Sequence, residues 1–234
     1  MQDNISSKFI GNRKISIEVR YAPTMAIIDK RGALIDAFKK ADIFDVQSWG
    51  FGEDRIILRD TEDDDTAQNI VRISYNRCIF RSRSINSVEG YYAQIEKVVK
   101  LLNDIIGAFV IRAVYCRILG TYKSNKRDFS EIVDSFKKAF PSQFLLDGYP
   151  AKDMTFRLFH EYGNYMICPL SKDDDVFEKE FKADEKNKHL GFVIDTGNQI
   201  LLEKDQKFST QVVKDVYTLS LSIEKDLFNK ISSL

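Results

Sequence analysis

The sequence predicts an α+β fold in which a β-α-β-β-β-α unit occurs twice. Three observations carry that prediction. The octapeptide LIDAFKKA (Leu34 to Ala41) returns as IVDSFKKA (Ile132 to Ala139). Strand-period and helix-period segments follow one another in the same order in both halves. The composition, 44% hydrophobic and 30% charged over 234 residues, is that of a globular chain long enough to bury a sizeable core.

In the first unit, residues 1–107, Ile15 to Tyr21 alternates apolar and polar side chains and reads as a strand. Arg31 to Ala41 reads as a helix with Leu34, Ile35 and Phe38 on one face. Asp45 to Trp49 and Arg55 to Arg59 read as a hairpin across Gly50, Phe51 and Gly52. Asn69 to Ile85 reads as one long strand. Asn86 then caps a long helix, with Glu89 as its capping-box partner and Gly107 as its stop.

The second unit, residues 108–234, repeats the order. Phe109 to Tyr122 reads as a strand, and Asp128 with Glu131 caps a helix that runs through Phe140 to Pro141. Met154 to His160 and Tyr165 to Pro169 pair as a hairpin around Tyr162 and Gly163. Leu190 to Leu202 reads as a strand, or as a tight hairpin turned at Thr196 to Asn198. Ser209 caps the last helix. The aspartate triplets Asp63 to Asp65 and Asp173 to Asp175 are further matching landmarks. The extra residues of the second half enter at Leu145 to Asp153 and at the charged run Val176 to Lys188, both loop-like. Two such units pairing edge to edge give a pseudo-twofold, mostly antiparallel, saddle-like sheet with helices on one face. The topology is similar to TATA-binding-protein-like and helix-grip folds, a likeness that carries no function with it.

Charge excludes little. Lys+Arg and Asp+Glu are both 35, so no net charge draws the chain to nucleic acid or membrane. Cys78, Cys116 and Cys168 are scattered, odd in number and set in apolar runs, which reads as free thiols in a reducing, cytoplasmic protein. The N-terminal residues have no apolar signal core, and no apolar run approaches a membrane span.

The charges are sorted by element. Ten of the 13 arginines fall in expected strands: Arg20, Arg55, Arg59, Arg72, Arg77, Arg81, Arg83, Arg112, Arg117 and Arg157. A sheet face rich in arginine, with Tyr75, Phe80 and Tyr115 nearby, suits phosphates or an acidic partner. Pairing with strand acids such as Glu18 and Asp195 is the competing account. Arg72, Arg77, Arg81, Arg112 and Arg117 are the candidate binding residues, because their strands flank one helix and, as sheet neighbours, pool their charge.

Other features point to less. The aspartate triplets lack metal-loop spacing and read as solvated turns. His160 beside Glu161 reads as a surface histidine rather than a general base. Trp49 reads as a packing anchor. No nucleophile elbow, HExxH or phosphate loop occurs, so no catalytic residue, metal or cofactor is expected.

Around the chain's centre, LLNDIIG (Leu101 to Gly107) runs into FVIRAVYCRILGTY (Phe109 to Tyr122), and FVIDTGNQIL (Phe192 to Leu201) precedes the terminal helix. This pattern resembles a sporadically distributed bacterial family of uncharacterised proteins. Arg112, Arg117 and Asp195 fit it, although Arg117 to Gly120 departs from the family's usual ending. The resemblance implies cargo of mobile elements or phage defence and supplies no catalytic residues. The leading expectation is a non-enzymatic interaction module that binds a protein partner or itself, as an accessory subunit of a phage-defence or toxin–antitoxin system. A nucleic-acid or nucleotide binder using the arginine face is the alternative. A metal-dependent hydrolase or nuclease is the third.

Overall fold

The computed structural model describes residues 5–52, 54–83, 88–107, 110–139, 153–202 and 210–232. Its strands are β1 (Ile10–Tyr21), β2 (Ser48–Phe51), β3 (Arg55–Arg59), β4 (Asn69–Ser74), β5 (Arg77–Ser82), β6 (Ile111–Lys123), β7 (Phe156–His160), β8 (Gly163–Leu170) and β9 (Gly191–Leu201). The helices are α1 (Ala26–Asp29), α2 (Arg31–Lys40), α3 (Val88–Ile106), α4 (Phe129–Ala139) and α5 (Thr210–Ser232). The nine strands form one open sheet in the order β2-β3-β4-β5-β1-β6-β9-β8-β7. Pairing is antiparallel from β2 through β5 to β1 and between β7 and β8. No described helix is long and apolar enough to cross a membrane.

The chain divides into two compact units. Among the described residues, one comprises those of Lys14–Arg117 and Asn198–Leu219; the other comprises 5–13 and those of Ile118–Gly197 and Ser220–Leu234.

In the first unit, Ile15, Ile17 and Val19 of β1 stand opposite Ser82, Phe80 and Cys78 of β5, and this face is buried. Tyr91 of α3 stacks on Phe80 at 5.2 Å and donates its hydroxyl to the Phe80 carbonyl at 3.0 Å. Burial pushes the Tyr91 hydroxyl pKa well above its ordinary value. Leu34, Ile35 and Phe38 of α2 are buried, as are Ile132, Val133 and Phe136 of α4. The two octapeptides thus bury the same three positions.

In the second unit, Tyr122, Phe192 and Ile194 pack with Ile132 and Phe136 of α4 and Leu227, Phe228 and Ile231 of α5. The opposite parity of the same strands, Leu119 and Val193, packs with Leu170, Phe177 and Phe181. Here strands are buried on both faces over Ile118 to Tyr122 of β6 and Gly191 to Ile194 of β9. Beside Tyr122 lies a buried ion pair. The Arg13 Nε donates to Glu224 Oε1 at 3.0 Å, its Nη2 donates to Oε2, and the Tyr122 hydroxyl donates to Oε1. All three residues are buried.

The structure corrects several sequence readings. The expected strand Asn69 to Ile85 is a hairpin: Ser74 pairs with Arg77, and Tyr75 and Asn76 form the turn. An unbroken apolar and arginine-rich run hid that turn. It contains no glycine, and its carbonyls accept hydrogen bonds from the Tyr21 and Thr24 amides. The first hairpin turns after Phe51, leaving Gly50 and Phe51 within β2. A short α1 precedes α2. Residues 191–201 run as one strand, so Thr196 to Asn198 is not a turn. The charged run 176–188 is not a plain loop. It forms a π-helical turn, Phe177–Phe181, whose two phenylalanines are buried. The expected caps Asn86 and Ser209, the helix end at Phe140 and Pro141, and most of Leu145 to Asp153 lie outside the described residues. The Asp128 cap forms, with Asp128 Oδ1 accepting from the Glu131 amide at 3.0 Å.

Candidate functional site

Strand register in the first unit decides where the arginines go. Across β3, β4, β5 and β1, the buried parity runs Leu58, Val71, Phe80 and Ile17. Side chains of the other parity share the opposite face. They include Arg55 and Arg59 of β3, Arg72 of β4, Arg77 and Arg81 of β5, and Arg20 of β1. The hairpin at Tyr75 and Asn76 is what brings Arg72 to the same side as Arg77 and Arg81, since a straight strand turns even and odd positions apart.

Three carboxylates lie among these guanidinium groups. Arg20 and Arg77 stand directly opposite each other, a repulsive placement. Glu18 sits between them, 2.6 Å from Arg20 Nε and 3.9 Å from Arg77 Nη1. Asp54 lies 3.8 Å from Arg55. Asp64 pairs with Arg59 and accepts from Arg72 Nη2 at 2.8 Å. Its loop is pinned further by Arg81, which donates to the Asp64 carbonyl at 3.3 Å, and by Arg83, which donates to the Asp65 carbonyl at 2.7 Å. Burial pushes the Asp64 carboxyl upward, but the hydrogen bonds from Arg72 and Arg59 outweigh it and hold the group below the usual carboxylate range.

The pairing does not enclose the arginines. The side chains of Arg20, Arg55 and Arg77 remain about half exposed, at 53%, 53% and 52%. A cleft of about 70 Å³ opens among Asp54, Arg55, Arg72 and Arg77, with Ser74 and Ile79 in its lining. The Nε of Arg72 is buried and has no hydrogen-bond partner. Arginine presents a planar fork of donors suited to two oxygens of a phosphate or carboxylate. The cleft therefore offers three forks around a space the size of one such group.

Of the candidate residues, Arg72, Arg77 and Arg81 come together. Arg112 and Arg117 do not both join them. β1 lies between β5 and β6, so the two strands expected to be neighbours are not. Five residues apart on β6, Arg112 and Arg117 turn to opposite faces. Arg112 has the parity of Tyr122, which packs with α4 and α5, and Arg117 has that of Leu119, on the other face. Phe80 is buried against Tyr91, away from the arginines, whereas Tyr75 is partly exposed at the hairpin turn.

Asp63 and Asp65 are exposed in a turn, but sequence reading missed the part played by Asp64, whose carboxylate lies on Arg59 and Arg72. Its signal was faint: a carboxylate run between two arginine-bearing strands. In the second unit, Asp174 caps the Val176 amide at 3.0 Å and Asp175 pairs with Lys179. Among the described residues no group of three His, Cys, Asp or Glu side chains is placed to hold a metal. His160 accepts the Tyr162 amide at Nδ1 at 3.3 Å. Trp49 is no buried anchor; it is 46% exposed, with Lys39 Nζ 3.7 Å from its ring centre. Cys78 and Cys116 are buried and Cys168 partly so; burial, with Glu18 nearby, pushes the Cys78 thiol up to about 12. A larger cavity of about 390 Å³ opens in the second unit among Phe9, Lys123, Lys126, Phe136 and Ile231. Its cations are two lysines, against three arginines in the smaller cleft. No protein-family model and no curated protein sequence matches the chain.

Proposed function

We propose that the protein is a binding module that grips the phosphate groups of a nucleic acid on the arginine face of β1, β3, β4 and β5. One observation carries this reading. Six arginines from four adjacent strands share one face with three carboxylates, and three of the six guanidinium groups are half exposed. Residues two apart on a strand are separated by about 6.8 Å, and adjacent strands by about 4.8 Å. Arg77 and Arg81 therefore lie along one line while Arg55 and Arg72 flank it, a track for a chain of charges rather than a single ion. Tyr75 at the hairpin tip supplies a ring for an unstacked base.

The scaffold for this face is, in the same proposal, a duplicated one with a pseudo-twofold relation between its halves. What supports it is the strand order read outward in two directions: β1-β5-β4-β3-β2 one way and β6-β9-β8-β7 the other. In each direction the first strand of the half leads and the remaining strands follow in reverse order.

The test is fluorescence anisotropy with single-stranded and double-stranded oligonucleotides over a salt series. The wild type is expected to bind with affinity that falls steeply as salt rises. Arg55→Gln combined with Arg77→Gln should weaken binding to every sequence and flatten the salt slope by about two. Neither residue is buried, so thermal stability should hold. Absence of salt-dependent binding by the wild type rules the reading out.

A further inference from the structure

Strand register places the arginine cleft at an end of the sheet. Arg55 stands opposite Ser74, Ser74 opposite Arg77, and Arg77 opposite Arg20. This rung is the last of β3, β4 and β5. Just beyond it come Asp54 and the turn at Tyr75 and Asn76. Arg72 lies two residues further in on the same face. The cleft of about 70 Å³ opens between Arg55, Arg72 and Arg77.

The three guanidinium groups are engaged to different degrees. Arg72 donates Nη2 to Asp64 at 2.8 Å and keeps a buried Nε without a partner. Arg55 and Arg77 donate no side-chain hydrogen bond among the described residues. Their ion-pair partners, Asp54 at 3.8 Å and Glu18 at 3.9 Å, stand beyond hydrogen-bond distance. Two uncommitted forks and one partly committed fork thus converge on a space the size of one phosphate group.

An internal phosphodiester carries a single negative charge, and its chain must leave on both sides. A terminal phosphate monoester carries about −1.5 to −2 at pH 7 and three acceptor oxygens. Three guanidinium groups suit that number of oxygens and that charge. The position favours an end as well. From Arg81 to Arg77 the strand runs toward the cleft and stops there. Asp54, 57% exposed, lines the cleft just past the rung. A carboxylate in that place repels a phosphate that would continue the chain. Tyr75, 37% exposed in the adjoining turn, offers its ring to the terminal base.

Building on the nucleic-acid reading, we propose that this cleft takes the terminal phosphate monoester of a nucleic-acid strand. The protein then prefers phosphorylated strand ends to uninterrupted strand.

Anisotropy at one fixed salt concentration tests this, with one internally labelled single strand in three forms: 5′-phosphate, 3′-phosphate, and hydroxyl at both ends. One phosphate-ended form should bind at least about tenfold tighter than the hydroxyl form, and which one identifies the end. Arg55→Gln should bring that ratio to within about twofold of one, and Arg77→Gln, from the other side of the cleft, should do the same. Arg20→Gln, outside the cleft, should weaken all forms alike and keep the ratio. Thermal melts check that each variant is folded. Equal affinity for all three forms overturns the proposal and leaves salt-dependent binding, and with it the nucleic-acid reading, in place. A preference that survives both Arg55→Gln and Arg77→Gln overturns the assignment to this cleft. Absence of binding by every form overturns both readings together.

Discussion

The two units cover one sheet face alike and finish the other in opposite ways. Each packs a buried parity against helical side chains: Phe80 against Tyr91 in one, Tyr122 and Phe192 against Phe228 in the other. On the remaining face the first unit carries arginines under a short acidic loop. The second carries Leu119, Leu170 and Val193 under Phe177 and Phe181. The difference teaches that one covering segment changes what a strand has to be. Where Phe177 and Phe181 cover the face, β6 and β9 become apolar on both sides. Where only Asp64 and its neighbours cover it, alternating arginines are stable because each keeps water or a carboxylate in reach.

The sharpest way to break this comparison is to uncover the second face. Phe177 is fully buried, and Phe177→Ala should cost about 3–5 kcal/mol in chemical denaturation. A loss below about 1 kcal/mol would mean this segment rests on the sheet without contributing to its core. Charge offers a contrast of similar size. Glu224→Ala leaves Arg13 buried without its carboxylate and should also cost about 3–5 kcal/mol, whereas Arg13→Met combined with Glu224→Leu should recover most of that loss. The pair Asp64–Arg72 is more than a third exposed, so Asp64→Asn should change stability by no more than about 1 kcal/mol. The same variant frees Arg59 and Arg72 and should raise oligonucleotide affinity a few-fold in the anisotropy assay. In wild type, the stabilisation from Asp64 is present above the ordinary carboxylate range and is lost as pH falls through its lower folded value.

The smallest effect concerns His189 in the second unit. Burial lowers its pKa from 6.5, and its Nδ1 faces the Asn187 carbonyl at 3.0 Å. The carbonyl only accepts, so Nδ1 carries the proton and the partnerless Nε2 is bare. Gly11 makes room for the ring, since a Cβ there would lie 1.9 Å from Cε1. The unfolded chain takes up a proton at this ring more readily than the folded one. Stability from the neutral ring is therefore complete above about 6.5 and declines as pH falls from there toward the folded value. His189→Gln should flatten the melting temperature against pH in that window.

Local pattern determined much of this molecule. Leu34, Ile35 and Phe38, repeated as Ile132, Val133 and Phe136, announce two amphipathic helices, because burial of an i, i+1, i+4 stripe is a property of the helix period itself. Asp128 with Glu131 announces a helix start for an equally local reason. The α+β class follows from such patterns, and the concentration of arginine in strands is visible in the order of residues along the sequence. Tertiary structure decided the rest. The turn at Tyr75 and Asn76 has no glycine or proline, only Asn76 as a turn former, and Tyr21 and Thr24 take up the turn carbonyls. That bend sets whether Arg72 shares a face with Arg77, and the position of β1 sets whether β6 joins them. The burial of Phe177 and Phe181 in a charged run, and the placing of Asp64 on Arg59 and Arg72, were likewise beyond local pattern. Side-chain period tells which residues share a face of one strand; only the pairing of distant strands tells which faces meet.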